Sequence, residues 1–263
     1  MIADMRQPVR LLIVNPNTSV AVTDRFCAEA RAVAPVGVEI VGVTGEFGAA
    51  IVSTEAENVI AGHAVLQLLA RHAGAHDAAI LAISFDSALD AAREVIPIPV
   101  VGITEASIAD ALSQHEAIGL VVFGAVSRPL YDRLLIRYGV AARVVGIEVV
   151  DVGSASGYLD QGDRDQLVLA AAKRLVARDG ARAVVVCGAA VVGIAPRLRD
   201  HLTAPITDGV APAIGSALRS LQTARSWTPP RPLGGTSGLD PALAALIAGR
   251  GPDRGQTRTT LVP

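Results

Sequence analysis

Aromatic residues make up only 3% of the 263, with a single tryptophan, so the interior must be built from Ala, Val, Leu and Ile. Cysteine is nearly absent too. Two of them, Cys27 and Cys187, are too few for a disulfide-stapled secreted domain or a cysteine-rich zinc site, which points to a reducing, cytoplasmic setting. Neither sign of charge is in excess: 23 basic against 25 acidic side chains give a formal −2, with no net pull toward nucleic acid or an anionic membrane. No apolar run reaches the roughly 20 residues of a membrane span, because Asp, Glu, Arg, Gly or Pro interrupts each one. Before Asn15 only four apolar residues stand in a row, short of the roughly 7–15 of a signal peptide. The expectation is a soluble chain with neither a membrane nor a nucleic-acid partner.

What the chain has is apolar residues, 51% of the total, and enough length to bury a full core. At roughly 100–200 residues per domain it makes one large domain or two small lobes. Short β-branched runs at 9–14, 38–43, 78–83, 100–103, 118–123, 144–149 and 183–186 read as strands buried on both faces of a parallel sheet. Helical patterns fill the spaces, at 18–33, 54–72, 88–95, 104–114, 128–138, 163–178, 194–201 and 210–222. Thr54-x-x-Glu57 matches a capping box, and Thr18 or Ser19 suits the start of the first helix. Strict alternation of strand and helix predicts an α/β fold of right-handed βαβ units.

The order of signals repeats. HDAAILAISFDSALDAAREVIPIPVVGITEAS and ARAVVVCGAAVVGIAPRLRDHLTAPITDGVAPAI both run strand, polar turn, helix, proline, strand, helix. Two pseudo-symmetric lobes, 1–113 and 114–223, are predicted, each a parallel sheet flanked by helices, with the active site in the cleft between them. Residues 224–263, rich in Pro and Gly, read as a tail that is at most partly ordered, with one short helix at 241–249 and Trp227 as its dock. Ser84, 15 residues before Pro99, and Cys187, 18 before Pro205, hold roughly equivalent turns at strand ends, where open α/β sheets bind ligands.

Cys187 is the sharpest candidate for chemistry. It ends an apolar run and precedes Gly188, so backbone N–H groups and a helix start should favour its thiolate; the plainer alternative is a buried cysteine acting as a small hydrophobe. Cys27, beside Phe26 in an Ala-rich helix, reads as core. Asn15, Asn17, Thr18 and Ser19 follow the first strand and open a helix, a grouping that suits a carboxylate or imide-like ring as well as a cap. Ser53, Ser84, Asp86, Ser87, Thr104, Glu105, Ser127 and Asp208 fall at analogous ends, where each alone reads as a cap. His72 and His76 have i, i+4 spacing, but Gly74 lies between them and no acidic partner completes a zinc motif, so no metal is implied. No Walker sequence, full dinucleotide fingerprint or Gly-x-Ser-x-Gly elbow is present.

NPNTS after the first strand, DAAREVIPIPVVGITEAS, the RYG of 137–139, VVVCGAAVVGIA and PITDGVAPA together resemble the aspartate/glutamate racemase superfamily over residues of about 10–222, nearest its hydantoin racemase branch. The resemblance implies two α/β lobes, no cofactor, a small carboxylate or hydantoin-like substrate, and two cysteines on opposite faces of its α-carbon. Cys187 matches the second cysteine. The first is missing, because alignment on Asp86 and Leu89 puts Ile83 in its place and Ser84 next. In that frame Ser84 joins Cys187 as a catalytic candidate. Asn15, Asn17, Thr18, Ser19, Ser53, Ile83, Thr104, Ser127, Gly188 and Asp208 are the candidate substrate-binding residues. Arylmalonate decarboxylases are similar in having one catalytic cysteine in the second half and small hydroxyl residues where the first would be. Three readings follow: a cofactor-independent racemase-type isomerase, a single-cysteine decarboxylase or isomerase, and a ligand-binding homologue without catalysis. Surfaces rich in Ala and Val leave a homo-oligomer open.

Overall fold

The computed structural model describes residues 8–153, 162–223 and 227–252. The first half gives β1 (Val9–Asn15), α1 (Val20–Val33), β2 (Val38–Thr44), α2 (Glu55–His72), β3 (Ala78–Leu81), α3 (Leu89–Val95), β4 (Val100–Gly102) and α4 (Ile103–Gln114). The second gives β5 (Ile118–Phe123), α5 (Arg128–Arg137), β6 (Val144–Val150), α6 (Gly162–Ala177), β7 (Ala183–Val186), α7 (Ile194–Leu198), β8 (Ile206–Thr207) and α8 (Val210–Leu221), followed by α9 (Pro241–Ile247). These strands form two four-stranded sheets with orders β2-β1-β3-β4 and β6-β5-β7-β8, every pair parallel. Among the described residues, no helix is long and apolar enough to cross a membrane.

The apolar runs become strands because both faces of each sheet are covered. β3, β5 and β7 are buried along their whole length, whereas the edge strands β2 and β6 are partly exposed over most of theirs. Helix starts follow local chemistry. Thr54 and Glu57 close the expected capping box on α2, while Ser19 takes the N-cap position of α1 without using its side chain.

The sheets divide the chain between α4 and β5, where the repeat divides it, but the helical layers do not. Val210, Ala213, Ile214 and Ala217 of α8 pack with Phe26 and Ala30 of α1 against Leu11, Ile13, Ala78 and Ile80 of the first sheet. Ile108, Ala111 and Leu112 of α4 pack beside α5 on Ile118, Leu120, Ala183 and Val185 of the second. Each half therefore covers part of the other's sheet. The remaining faces take α2, α3 and α9 on one side and α6 and α7 on the other.

The strand expected at 78–83 stops at Leu81, which frees 82–86 for a turn. The strand that the repeat places after Pro205 is Ile206–Thr207, two residues long and paired with Val184–Val185. The short helix expected in the tail forms at Pro241–Ile247: Asp240 caps α9 through the amides of Ala242 and Leu243, and Leu243 and Leu246 join the core under α2. Trp227 docks as expected, its Nε1 donating to the Glu94 carbonyl at 3.0 Å.

Replacing Leu246, 1% exposed, by Ala should destabilise the protein by about 2–4 kcal/mol in urea denaturation. The same change at the fully exposed Leu233 should stay within about 0.5 kcal/mol. Equal effects would mean that α9 is not part of the core.

Candidate functional site

A pocket opens where the carboxyl ends of the two sheets' central strands meet. Asn17 reaches it after β1, and Ile83, Ser84 and Phe85 after β3; Phe123 ends β5, and Cys187 to Ala190 follow β7. Ile51, Val52 and Tyr131 of α5 complete the lining. Mostly apolar walls with a few polar groups are the usual form of a small-molecule site.

The Asn15–Ser19 segment is divided by task. Asn15 is fully buried and structural: its Nδ2 donates to the Ser19 carbonyl at 3.0 Å and to Thr23 Oγ1 at 2.9 Å. The loop lies against Gly45, where a Cβ would stand 2.3 Å from the Pro16 carbonyl oxygen, so the close approach requires glycine. Gly45 N–H donates to the carbonyls of Asn15 and Asn17. This framework delivers Asn17 to the pocket with a buried Oδ1 that has no partner, a position that invites a ligand's donor. Thr18 and Ser19, half-buried, do not line the pocket.

Cys187 lines the pocket from a 3% exposed position. Burial pushes its thiol well above the usual thiol range, and the negative charge of Asp86 adds to the effect. This reverses the expectation that the turn would favour a thiolate: desolvation outweighs the nearby N–H groups, and the resting group is a neutral thiol. Cys27 sits in the core as expected, close enough to β2 that a Cβ on Gly42 would lie 2.5 Å from its sulfur.

Internal symmetry locates the counterpart of Cys187. The Cys187 amide donates to the Val121 carbonyl at 2.8 Å, and the Ala82 amide makes the same bond to Val14 at 2.8 Å. Register thus pairs Cys187 with Ala82, not with Ser84 as the proline spacing suggested. Ala82 is fully buried, and the next residues, Ile83 and Ser84, present their side chains to the pocket. The first half supplies one hydroxyl there and no group that titrates near neutrality.

The other candidates hold the frame. Ser53 Oγ donates to Glu57 at the start of α2, and Ser127 Oγ donates to the carbonyls of Phe123 and Gly124. Asp208 accepts from the amides of Gly193 and Ala195 at the start of α7. Thr104 Oγ1 donates to the Ser84 carbonyl at 2.7 Å. Glu105 is held by Arg93 through two bonds and does not line the pocket, and Ser87 donates to Asn58. His76 Nδ1 lies 2.7 Å from the His72 carbonyl, so that pair is spent on itself. No group of three His, Cys, Asp or Glu gathers among the described residues.

Sequence comparison now bears on the whole arrangement. The family profile described as Asp/Glu/Hydantoin racemase matches residues 11–217, from β1 through α8 and so across both sheets. The chain belongs to this racemase family. A hydantoin racemase of Paenarthrobacter aurescens is 28% identical over 208 residues, 78% of this chain and 88% of that one. The allantoin racemase of Klebsiella pneumoniae superposes with a TM-score of 0.80 at 28% identity, over 89% of this chain and 98% of the other. An arylmalonate decarboxylase shares the fold, with a TM-score of 0.54 and 14% identity over 91% of this chain and 98% of its own.

Asp86, next in sequence to the pocket-lining Phe85, carries more than its position suggested. Asp86 is fully buried at φ 46°, accepts from the amides of Thr104 at 3.2 Å and Glu105 at 2.8 Å, and takes the Tyr138 hydroxyl at 2.5 Å. It fits only because residue 102 is glycine; a Cβ there would stand 2.4 Å from its carboxyl carbon. Burial pushes the carboxyl up to about 7, against the three hydrogen bonds that pull it down.

Because the folded-state value lies above the ordinary one near 3.9, the unfolded chain ionises first, and this group's contribution to stability falls as pH rises from about 4 to about 7. The stability of Asp86→Asn relative to the native chain should therefore climb through that window and level off above it. Urea denaturation from pH 4.5 to 8 checks this; a difference that stays constant with pH would show that Asp86 ionises normally.

Proposed function

We propose that this chain is a racemase-type enzyme acting at the α-carbon of a small hydantoin-like or carboxylate substrate, with Cys187 as the acid–base group and no cofactor in the reaction. The supporting observation is a buried, neutral thiol in a pocket to which both halves contribute. The small fraction of thiolate removes the α-proton, the electron pair moves onto the adjacent carbonyl oxygen as an enolate, and a proton returns to carbon either from the re-formed Cys187 thiol or, on the opposite face, from solvent. Asn17 and the Ser84 hydroxyl stand where they can bind the substrate's polar edge as charge moves onto its oxygen, and Gly188 leaves room beside the thiol. The relatives named for hydantoin and allantoin set the first substrates to try.

A single-thiol decarboxylation is the second reading, and the apolar Ile83 in the pocket wall favours it. There, carbon dioxide leaves toward the apolar wall, the electron pair stays on the α-carbon as an enediolate, and the Cys187 proton closes it from one face. The two readings part on one experiment. Proton NMR in heavy water, with chirality followed in parallel, is run on 5-substituted hydantoins, allantoin, amino acids and 2-substituted malonates. Loss of the α-proton together with optical activity supports racemisation; carbon dioxide release with one deuterium placed stereospecifically supports decarboxylation.

Either way, Cys187→Ala should lower turnover at least about 100-fold, the usual cost of a lost general acid. Full turnover by that variant overturns both readings. Ile83→Cys should add α-proton exchange on the second face, because it restores a thiol to the first-half wall.

A further inference from the structure

A second pocket lies between α2 and the tail and shares no lining residue with the one that holds Cys187. Helix α2 supplies Asn58, Gly62 and His63, the turn after β3 supplies Ala88, and Leu243 and Ile247 come from α9, beyond the residues of the family match. Its volume of about 460 Å³ falls in the roughly 300–1,000 Å³ range of small-molecule sites. Gly62 keeps it open. Glycine weakens a helix interior relative to alanine, and packing does not demand one here, because the nearest atom to an added Cβ would be that of Ala88 at an ordinary contact distance of 3.4 Å. Since Gly62 and Ala88 both line the pocket, a larger side chain at 62 would take up its space.

The lining specifies its ligand. Among the described residues it holds no Asp, Glu, Lys or Arg, and its polar groups are His63 and Asn58. Asn58 Oδ1 accepts from Ser87 Oγ at 2.6 Å, which leaves Nδ2 to donate. A charged ligand would lose its hydration there without meeting a counter-ion. The same lining reaches both first-half segments that form the Cys187 pocket. His63 packs edge-on against Phe47, ring centroids 5.3 Å apart, in the loop that carries Ile51 and Val52. Ala88, and Asn58 through Ser87, belong to or hold the turn that carries Ile83, Ser84 and Phe85.

We propose that this pocket is a second binding site, for a neutral, mostly apolar small molecule with one hydrogen-bond acceptor, and that its occupant braces the two first-half segments lining the Cys187 pocket. The acceptor meets Asn58 Nδ2, and the apolar body lies against Leu243 and Ile247 in the space left at Gly62. The proposal stands whichever reaction Cys187 serves.

The full chain is titrated by fluorine NMR with para-fluoroacetophenone, a neutral ketone, and with para-fluorobenzoate, its carboxylate counterpart. The ketone should bind saturably, and the carboxylate at least about tenfold more weakly. Gly62→Leu, which favours the helix and fills the pocket, should weaken ketone binding at least about tenfold. Ile247→Trp closes the pocket from α9 and serves if the first variant does not fold. With the ketone at saturation, amide hydrogen exchange read by mass spectrometry should slow in residues 45–53 and 83–89 of the native chain and stay unchanged in Gly62→Leu. Absence of ketone binding, or binding that survives both substitutions, overturns the site. So does a dimer in sedimentation velocity that either substitution dissociates, since the occupant would then be a second copy of the chain. Unchanged exchange in the two segments of the native chain overturns the bracing.

Discussion

Neither sheet of this protein closes its own core. A parallel sheet carries apolar side chains on both faces and needs a helical layer on each, and here each sheet borrows a helix from the other half. Helix α8 lies on β1 and β3, while α4 lies on β5 and β7. The exchange fixes more than stability. Because the borrowed helices start directly after β4 and β8, they carry each half's strand ends against the other's, and the pocket forms where those ends meet. A shift of one half relative to the other would have to unpack Ile214 or Ile108 from a sheet to which it is not joined by a neighbouring strand.

Two aspartates translate that packing into local order. Asp86, after β3, accepts from the amides that open α4; Asp208, after β8, accepts from the amides that open α7. Each ties one strand end to a helix start elsewhere in its half, satisfying donors that a helix cannot satisfy itself. Their surroundings differ in one respect. Asp86 also receives a phenol from the second half and loses all contact with water, so its charge is costly and its field reaches the thiol.

The architecture was legible because its signals are redundant. Seven apolar runs, their alternation with helical periods and a repeated order of turns all pointed to paired α/β halves. β8 was legible only through the repeat, because two residues after a proline make no run, and α9 was legible as a helix while the burial of Leu243 and Leu246 under α2 was not. The site was legible in outline only. Asn15 and Asn17 look alike in sequence, and only the fold shows one spent on Ser19 and Thr23 and the other left with an unpartnered acceptor in the pocket. The ionisation of Cys187 was misjudged for the same reason: a strand-end turn advertises its N–H groups, whereas the desolvation that outweighs them comes from residues distant in sequence.

The missing second thiol is best understood through the register. Ala82 and Cys187 make identical backbone bonds, so the two halves present the same frame to the pocket and differ in what is mounted on it. A symmetric pair of thiols would need two environments able to trade a proton. Here the two sides differ: a neutral thiol on one, Ile83 and a lone hydroxyl on Ser84 on the other. An apolar wall accepts an uncharged leaving group or an apolar substituent but cannot take up a proton. The stereochemical outcome of any reaction in this pocket therefore depends on whether a proton reaches the substrate's second face by way of solvent, since no side chain of the first-half wall titrates in the range that would carry it.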